Sequence, residues 1–313
     1  MKVIAFDIET VVDQEGLVYE DYKYLFARGK KEKTEEEFIK ELSFNPFTSY
    51  IVSCAGVVIE DEEITKGVVF YISNCGEMHG ETIEFDSSTR INAEFKPEAD
   101  PFPYEKLAQL EKSLLEKFWK FLDGADAIVS FNGKNFDLYF MKVRSMLHGI
   151  EIPPRFLNSH SNFHIDLMEF LSDKRQEKSY KFDFVCKKFG INTPKRFMDG
   201  SMVMERFKRG DFKSIALYNL YDAIALAKLY LRLKDYLRYT NTKEKPSERQ
   251  KWYFIDLLHN LTGIDKSKLE QVFDKLTEVG VLDKQNISIC IDVLKSLKEE
   301  NPTVDQESYE DYI

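Results

Sequence analysis

Residues 1–10 read MKVIAFDIET, and the fold turns on how the change from VIAF to DIE is understood. Val3, Ile4, Ala5 and Phe6 form an unbroken apolar run, the composition of a buried first strand. The strand leads straight into Asp7-Ile8-Glu9. Side chains alternate along a strand, so Asp7 and Glu9 leave the same face. Two like charges at that spacing repel, and at the end of a strand in a core they call for a cation or a proton. The other reading is a turn beginning at the strand's end, where acids are common. Acids also stand here where a signal peptide would need an apolar stretch and a small-residue cleavage site, so none is expected.

Working outward, residues 50–59 (YIVSCAGVVI) and 64–73 (ITKGVVFYIS) are β-branched runs separated by an acidic turn at 60–63. That hairpin signal predicts an antiparallel meander of the first three strands. Residues 14–43 are polar and rich in Lys and Glu, which reads as a helical insertion. Residues 74–103, with Pro97, Pro101 and Pro103, read as an extended connection. Helical periodicity over 104–122 ends at Asp123-Gly124, and a short strand follows at 127–131. A helix from Asn135 or Phe136 runs to Gly149 as its stop. Residues 164–172 and 181–190 read as short helical or strand–helix pieces, and 211–239 as a long amphipathic helix. No internal repeat appears. Strands leading into alternating helices and strands predict an α/β fold with a mixed sheet flanked by helices.

The 313 residues allow one large α/β domain and a small appendage. With 43% hydrophobic and 31% charged residues, the chain can fill and cover a core, which excludes global disorder. No window approaches the roughly 20 apolar residues of a membrane span. Cys54, Cys75, Cys186 and Cys290 are far apart with no C-x-x-C pair, so neither a zinc knuckle nor a disulfide framework is expected. These features predict a protein of the reducing cytoplasm with no membrane partner. The net charge of −10 is unevenly spread: residues 171–250 hold 19 Lys and Arg against 10 acids. That basic stretch can contact phosphates, with Arg206 and Arg209 as candidate substrate contacts; the alternative is a solvated helix face.

Two further acids join the first pair. Residues 128–140 read IVSFNGKNFDLYF: a strand, a loop at Asn132-Gly133-Lys134, then a helix with Asp137 in its first turn. An acid there also suits the helix dipole, but Asn132 and Asp137 lie at a strand's C-terminal end, where ligands of open α/β sheets collect. Tyr218 and Asp222 are spaced i, i+4 on the long helix, so they are neighbours on one face. Asp222 is followed by Ala-Ile-Ala-Leu-Ala, where a lone carboxylate would be expensive. It calls for a metal or an arginine, unless that face is exposed. Four carboxylates converging from separate elements suit two divalent metals about 4 Å apart, clamping the attacking and leaving oxygens of a phosphodiester. Oxygen-only ligation favours Mg²⁺ or Mn²⁺ over zinc. Tyr218 should be neutral at pH 7 and would orient the water by hydrogen bonding.

The motifs FDIET (6–10), SFNGKNFDLYFM (130–141) and YNLYDAIAL (218–226) resemble those of the DEDD 3′→5′ exonucleases in their tyrosine-bearing subgroup. The resemblance is closest to the stand-alone predicted exonucleases related to the proofreading domain of family B DNA polymerases. HIDLMEFLS (164–172) and MDGSMVMERFKRGDFKSIALY (198–218) share the look of that group, and the resemblance spans about residues 1–236. It implies a ribonuclease H-like fold, two Mg²⁺ ions, and nucleotide release from 3′ ends. It makes Asp7, Glu9, Asp137 and Asp222 the metal ligands and, with Tyr218, the catalytic set. Asn132 carries over as a polar contact to substrate or to a metal-bound carboxylate, and Thr10 as a contact to the terminal nucleotide. Phe136 is either core or an aromatic that stacks on a base. His164 and Asp166 are tempting as a metal pair but read better as structural.

The sequence thus predicts an exonuclease domain over 1–240, a linker over 241–250, a small domain over 251–300 and a disordered acidic tail over 301–313. In the small domain KWYFIDLLHNLTG, DKSKLEQVFDKLTEVGVL and NISICI read as helix, helix and short strand, a succession that resembles a winged helix. Its net acidity suits a protein partner, reached through this unit or the tail, better than a DNA reader. The expected function is metal-dependent 3′→5′ hydrolysis of single-stranded or frayed DNA. The alternatives are an exoribonuclease trimming RNA 3′ ends and, in another class, an inactive nucleic-acid-binding or scaffold protein.

Overall fold

In the computed structural model the chain divides into two compact units, residues 1–234 and 235–313. The structure describes residues 1–13, 41–157, 163–173, 180–193, 198, 200–240, 246–278, 282 and 284–300. Most of the expected helical insertion, part of the linker and the acidic tail lie outside the described residues.

The first unit is built on a seven-stranded sheet: β1 (Lys2–Val12), β2 (Ser49–Glu60), β3 (Glu63–Ser73), β4 (His79–Asp86), β5 (Thr89–Ala99), β6 (Ala127–Ser130) and β7 (His164–Asp166). Its order is β4-β5-β3-β2-β1-β6-β7. β1, β2 and β3 form the antiparallel meander read from the sequence, while β6 and β7 run parallel to β1 on its other side. This mixed sheet flanked by helices is the α/β architecture expected from the sequence. The helices of this unit are α1 (Leu107–Asp123), α2 (Asp137–Leu147), α3 (Pro154–Leu157), α4 (Leu167–Leu171), α5 (Phe182–Lys188), α6 (Val203–Lys208) and α7 (Phe212–Thr240), the last running past the unit boundary.

Packing explains why β2 is almost wholly buried. A Cβ on Gly56 would lie 2.3 Å from a ring carbon of Phe121 in α1, and one on Gly67 would lie 2.7 Å from Leu220 in α7. Gly56 pairs with Val68, so Gly67, one residue away, points to the opposite face. The two glycines let α1 and α7 close on opposite faces of the β2–β3 ladder. The apolar positions of α1 at Leu107, Leu114, Leu115, Phe118 and Leu122 recur at helical spacing and are all buried. Phe118 lies beside Phe6 and Phe70, at ring separations of 6.2 and 5.9 Å, and joins β1 and β3 to the helix.

Two expectations fail in this unit. Residues 74–103 are not an extended connection, because β4 and β5 form a hairpin that extends the sheet beyond β3. The strict alternation of Ile83 and Phe85, then Ile91, Ala93 and Phe95, carried that signal, and the prolines obscured it. Pro97 lies beyond the last residue of β5 that β4 pairs, where β5 has a neighbour on one side only, a position that tolerates proline. The first strand also continues to Val12, so Asp7 and Glu9 stand mid-strand rather than at its end.

The second unit contains α8 (Glu248–Thr262), α9 (Lys266–Glu278) and α10 (Lys284–Glu300). Ser247 caps α8 through a reciprocal capping box with Gln250, and Gly263 at φ +69° ends it. Ile255, Leu257, Phe273, Leu282, Ile287 and Ile291 form its core. NISICI is helix, not the expected short strand: its isoleucines alternate, but Ile287 and Ile291 are also one helical turn apart and both enter the core. Among the described residues this unit has no strand to form a wing. No helix among the described residues is long and apolar enough to cross a membrane.

Candidate active site

Asp7 and Glu9 project from β1, opposite Ala55 and Ser53 of β2, just before a register shift between Glu9 and Thr10. Asp222 reaches them from α7. One carboxylate oxygen from each of Asp7, Glu9 and Asp222 lies within 4.8 Å of the others. The sequence of α7 permits this approach: Ala223, Ala225 and Ala227 are fully buried and small. Tyr218, one turn earlier, is buried, and its hydroxyl donates to the Asp222 carboxylate.

Asp137 stands beside this trio at the start of α2. Its carboxylate accepts from its own N–H and from that of Ile8, the residue between Asp7 and Glu9. Burial, then the charge of Asp166, pushes Asp137 up to about 7 despite those hydrogen bonds. Burial also raises Asp7 and Glu9 well above the carboxylate range. The next contributions at Asp7 come from Asp137, Glu9 and Asp222, and at Glu9 from Asp222 and Asp137. Burial and the neighbouring acids likewise push the Tyr218 phenol far up, so it keeps its proton. The charges acting on Asp7 and Glu9 are therefore other carboxylates, and a hard divalent cation would relieve all of them at once. Oxygen donors and mutual repulsion make the set fit such a cation.

A residue that sequence reasoning passed over holds Asp7. The buried Asn219 donates its amide to Asp7 Oδ2 at 2.7 Å and accepts from Ser53 Oγ at 2.9 Å. Its only sequence signal was an amide on an apolar helix face, next to Tyr218.

The loop after β6 places Asp137. Asn132 adopts φ +70°, and the N–H groups of Asn132 and Lys134 donate to Asp166 at 2.8 and 3.2 Å. Asp166 also caps α4. Gly133 donates to Ser130 Oγ, and a Cβ at Gly133 would stand 2.3 Å from that oxygen, so the turn needs glycine. Ser130 Oγ in turn lies 2.7 Å from His164 Nε2. Burial, helped by Lys134 and Lys142, pushes His164 down to about 3, so it is neutral. His164 and Asp166 thus both bond to the loop that leads to Asp137.

The candidate substrate contacts are placed less uniformly. Thr10 Oγ1 donates to the carbonyl of Ser43 at 2.8 Å. Asn132 Oδ1 accepts from Asn135 at 3.3 Å. The half-buried Phe136 meets Phe44 and Phe140 edge-on, at 5.8 and 5.5 Å. Arg206 pairs with Asp211 at 2.5 Å and Arg209 with Glu205 at 2.6 Å. Lys174 and Arg175 of the basic stretch lie outside the described residues.

No curated protein matches the chain in sequence. Among solved structures, the chain is similar to the family B DNA polymerase from the hyperthermophilic archaeon Pyrobaculum calidifontis. The identity is 16%, the TM-score 0.43, and the match covers 86% of this chain and 27% of that one. The chain thus spans about a quarter of that polymerase's length. A family model described as "Predicted 3′-5′ exonuclease related to the exonuclease domain of PolB" matches residues 98–254, half of the chain. That span includes Asp137, Tyr218 and Asp222, while Asp7 and Glu9 precede it. The chain belongs to the family of predicted 3′-5′ exonucleases related to the exonuclease domain of PolB.

Proposed function

We propose that the protein removes nucleotides from the 3′ end of single-stranded or frayed DNA by hydrolysis dependent on Mg²⁺ or Mn²⁺, with Asp7, Glu9, Asp137 and Asp222 as the ligands of two ions. The observation that carries this reading is the convergence of Asp7, Glu9 and Asp222 within 4.8 Å, with Tyr218 hydrogen-bonded to Asp222. When bound, the metals supply charge neutralisation at the scissile phosphate and activate water at neutral pH. The chain's residues position the reactants. Asn219 fixes the Asp7 carboxylate, and Asp137 is tied to β1 through Ile8. Tyr218 donates its one O–H hydrogen bond to Asp222, so it offers an approaching water only acceptor lone pairs. It can orient that water but cannot serve as its base, because burial keeps the phenol protonated. On this reading Thr10, Asn132 and Phe136 border the terminal nucleotide, and Arg206 and Arg209 meet phosphates by exchanging their acid partners. Four free cysteines accord with the reducing cytoplasm. An exonuclease domain over 1–240, with the remaining residues available to a protein partner, completes the proposal.

End-labelled DNA and RNA strands, digested with Mg²⁺, Mn²⁺ or EDTA and resolved on a gel, test this directly. Stepwise shortening from the 3′ end of DNA is expected with metal and none with EDTA. Asp7→Ala should lower the rate by at least about three powers of ten, since it breaks the metal site. Wild-type activity in purified Asp7→Ala would overturn the assignment. Preferential digestion of RNA would favour the exoribonuclease alternative.

A further inference from the structure

The hydrogen-bond chain behind Asp7 begins on a strand that carries none of the four acids. Residues directly opposite each other in an antiparallel ladder put their side chains on one face. In the β1–β2 ladder this sets Ala55 across from Asp7 and Ser53 across from Glu9. The methyl of Ala55 offers the acid no hydrogen bond, whereas Ser53 adds a hydroxyl to the acid-bearing face. From α7, Asn219 lies between the two: Ser53 Oγ donates to Asn219 Oδ1 at 2.9 Å, and Asn219 Nδ2 donates to Asp7 Oδ2 at 2.7 Å. Both Ser53 and Asn219 are 0% exposed, so neither has bulk water as an alternative partner. Among the described residues, the Asn219 amide is the one hydrogen-bond donor to the Asp7 carboxylate.

The chain has a direction. A carboxylate that binds a metal is ionised and can only accept, so the amide must present its nitrogen to Asp7 and its oxygen away from it. The two ends of an asparagine amide are nearly equal in shape, and the last torsion is close to two-fold. Asp7 alone therefore leaves the amide oxygen buried without a donor, a costly arrangement. The Ser53 hydroxyl supplies that donor and so holds the amide nitrogen on Asp7.

We infer that Ser53 is a positioning residue, which through Asn219 orients the Asp7 carboxylate and sets how tightly the site holds a divalent cation. The inference rests on the metal-site reading above. A ligand already held in its bound orientation loses less freedom when the ion arrives. Removing such a group behind a metal ligand typically weakens metal binding by about tenfold to a hundredfold.

The test is calorimetric titration of the full chain with Mn²⁺ in the absence of substrate, for the parent, Ser53→Ala, Asn219→Leu, the double variant and Ser145→Ala. Ser145 is an equally buried serine, bonded by Trp119 Nε1 at 2.8 Å on α2, and controls for the loss of any buried hydroxyl. Ser53→Ala and Asn219→Leu should each weaken Mn²⁺ binding by at least about tenfold. The double variant should bind no more weakly than Asn219→Leu alone, because Ser53 acts only through Asn219. It also leaves neither Ser53 nor Asn219 stranded, so it supplies a folded protein should Ser53→Ala unfold. Ser145→Ala should keep the parent's affinity. Parent-like affinity in Ser53→Ala, an equal loss in Ser145→Ala, or a further tenfold loss from Asn219→Leu to the double variant would overturn the inference and leave the metal-site reading intact. A parent that binds no Mn²⁺ would overturn both.

Discussion

Asp7 shows most directly how a single side chain can store free energy for a bound ion. It is buried among three other carboxylates, and the hydrogen bond from Asn219 only partly offsets their repulsion. Replacing it by asparagine should stabilise the metal-free protein and shrink the rise in melting temperature that Mn²⁺ produces by binding the folded form. Identical Mn²⁺-induced shifts in wild type and Asp7→Asn would refute the proposed ligand set. The same physics fixes a pH dependence. The folded-state values of Asp7, Glu9 and Asp137 lie above their unfolded values, so the folded protein holds more protons through the intervening range. Stability without metal should therefore fall as pH rises from the ordinary carboxylate value of 3.8 through the raised folded-state values of these acids, about 7 for Asp137. The slope is about 1.4 kcal/mol per pH unit for each carboxyl in transit. Chemical denaturation between pH 5 and 8 in EDTA measures it. A flat or rising profile would contradict the burial of these acids, and saturating Mn²⁺ should flatten it.

Between elements, the decisive contact is the one joining α1, α2, the start of β2 and the carbonyl of Pro46. Arg144 and Glu111 meet at 2.6 Å, with Glu111 fully buried and Arg144 nearly so. Removing one partner strands a buried charge, so Arg144→Met should destabilise the protein by about 3–5 kcal/mol. Adding Glu111→Gln to it removes the stranded charge, keeps an acceptor for the Ile51 N–H, and should recover part of the loss. Urea unfolding of the single and double variants decides the matter. If the double variant is less stable than Arg144→Met by the full cost of a second independent lesion, the pair is not coupled as described.

For the molecule as a whole, the two units each have buried apolar residues of their own, and α10 contributes two isoleucines to the second. The long α7 carries both Tyr218 and Asp222 and ends at residue 240. A fragment of residues 1–240 should therefore fold, melt cooperatively and keep the Mn²⁺-induced stabilisation of the full chain. Its activity on a short oligonucleotide should stay within about threefold, because a rate change of that size is under 1 kcal/mol in the barrier. A fragment that is folded but has lost the metal response would show that residues beyond 240 complete the site.

The sequence by itself determined the parts of this protein that rest on local pattern. Apolar runs, the acidic turn and the 3.6-residue periodicity placed the β1–β3 meander, α1, α2 and α7 within a few residues of where they lie. The spacing of Asp7 with Glu9 and of Tyr218 with Asp222 fixed which side chains share a face, since strand and helix geometry are local. Where two periods fitted one stretch, as in NISICI, only packing chose: Ile287 and Ile291 are buried together in a helix. The β4–β5 hairpin escaped for a related reason, because its Pro97 is strand-compatible only where β5 has a neighbour on one side. The order of the sheet, the 4.8 Å convergence of acids 215 residues apart in sequence, and the hidden partners Asn219, Ser53, Glu111 and Arg144 are tertiary facts. Pattern cannot report them, because a buried amide or ion pair looks like any polar residue until the surrounding chain removes the water.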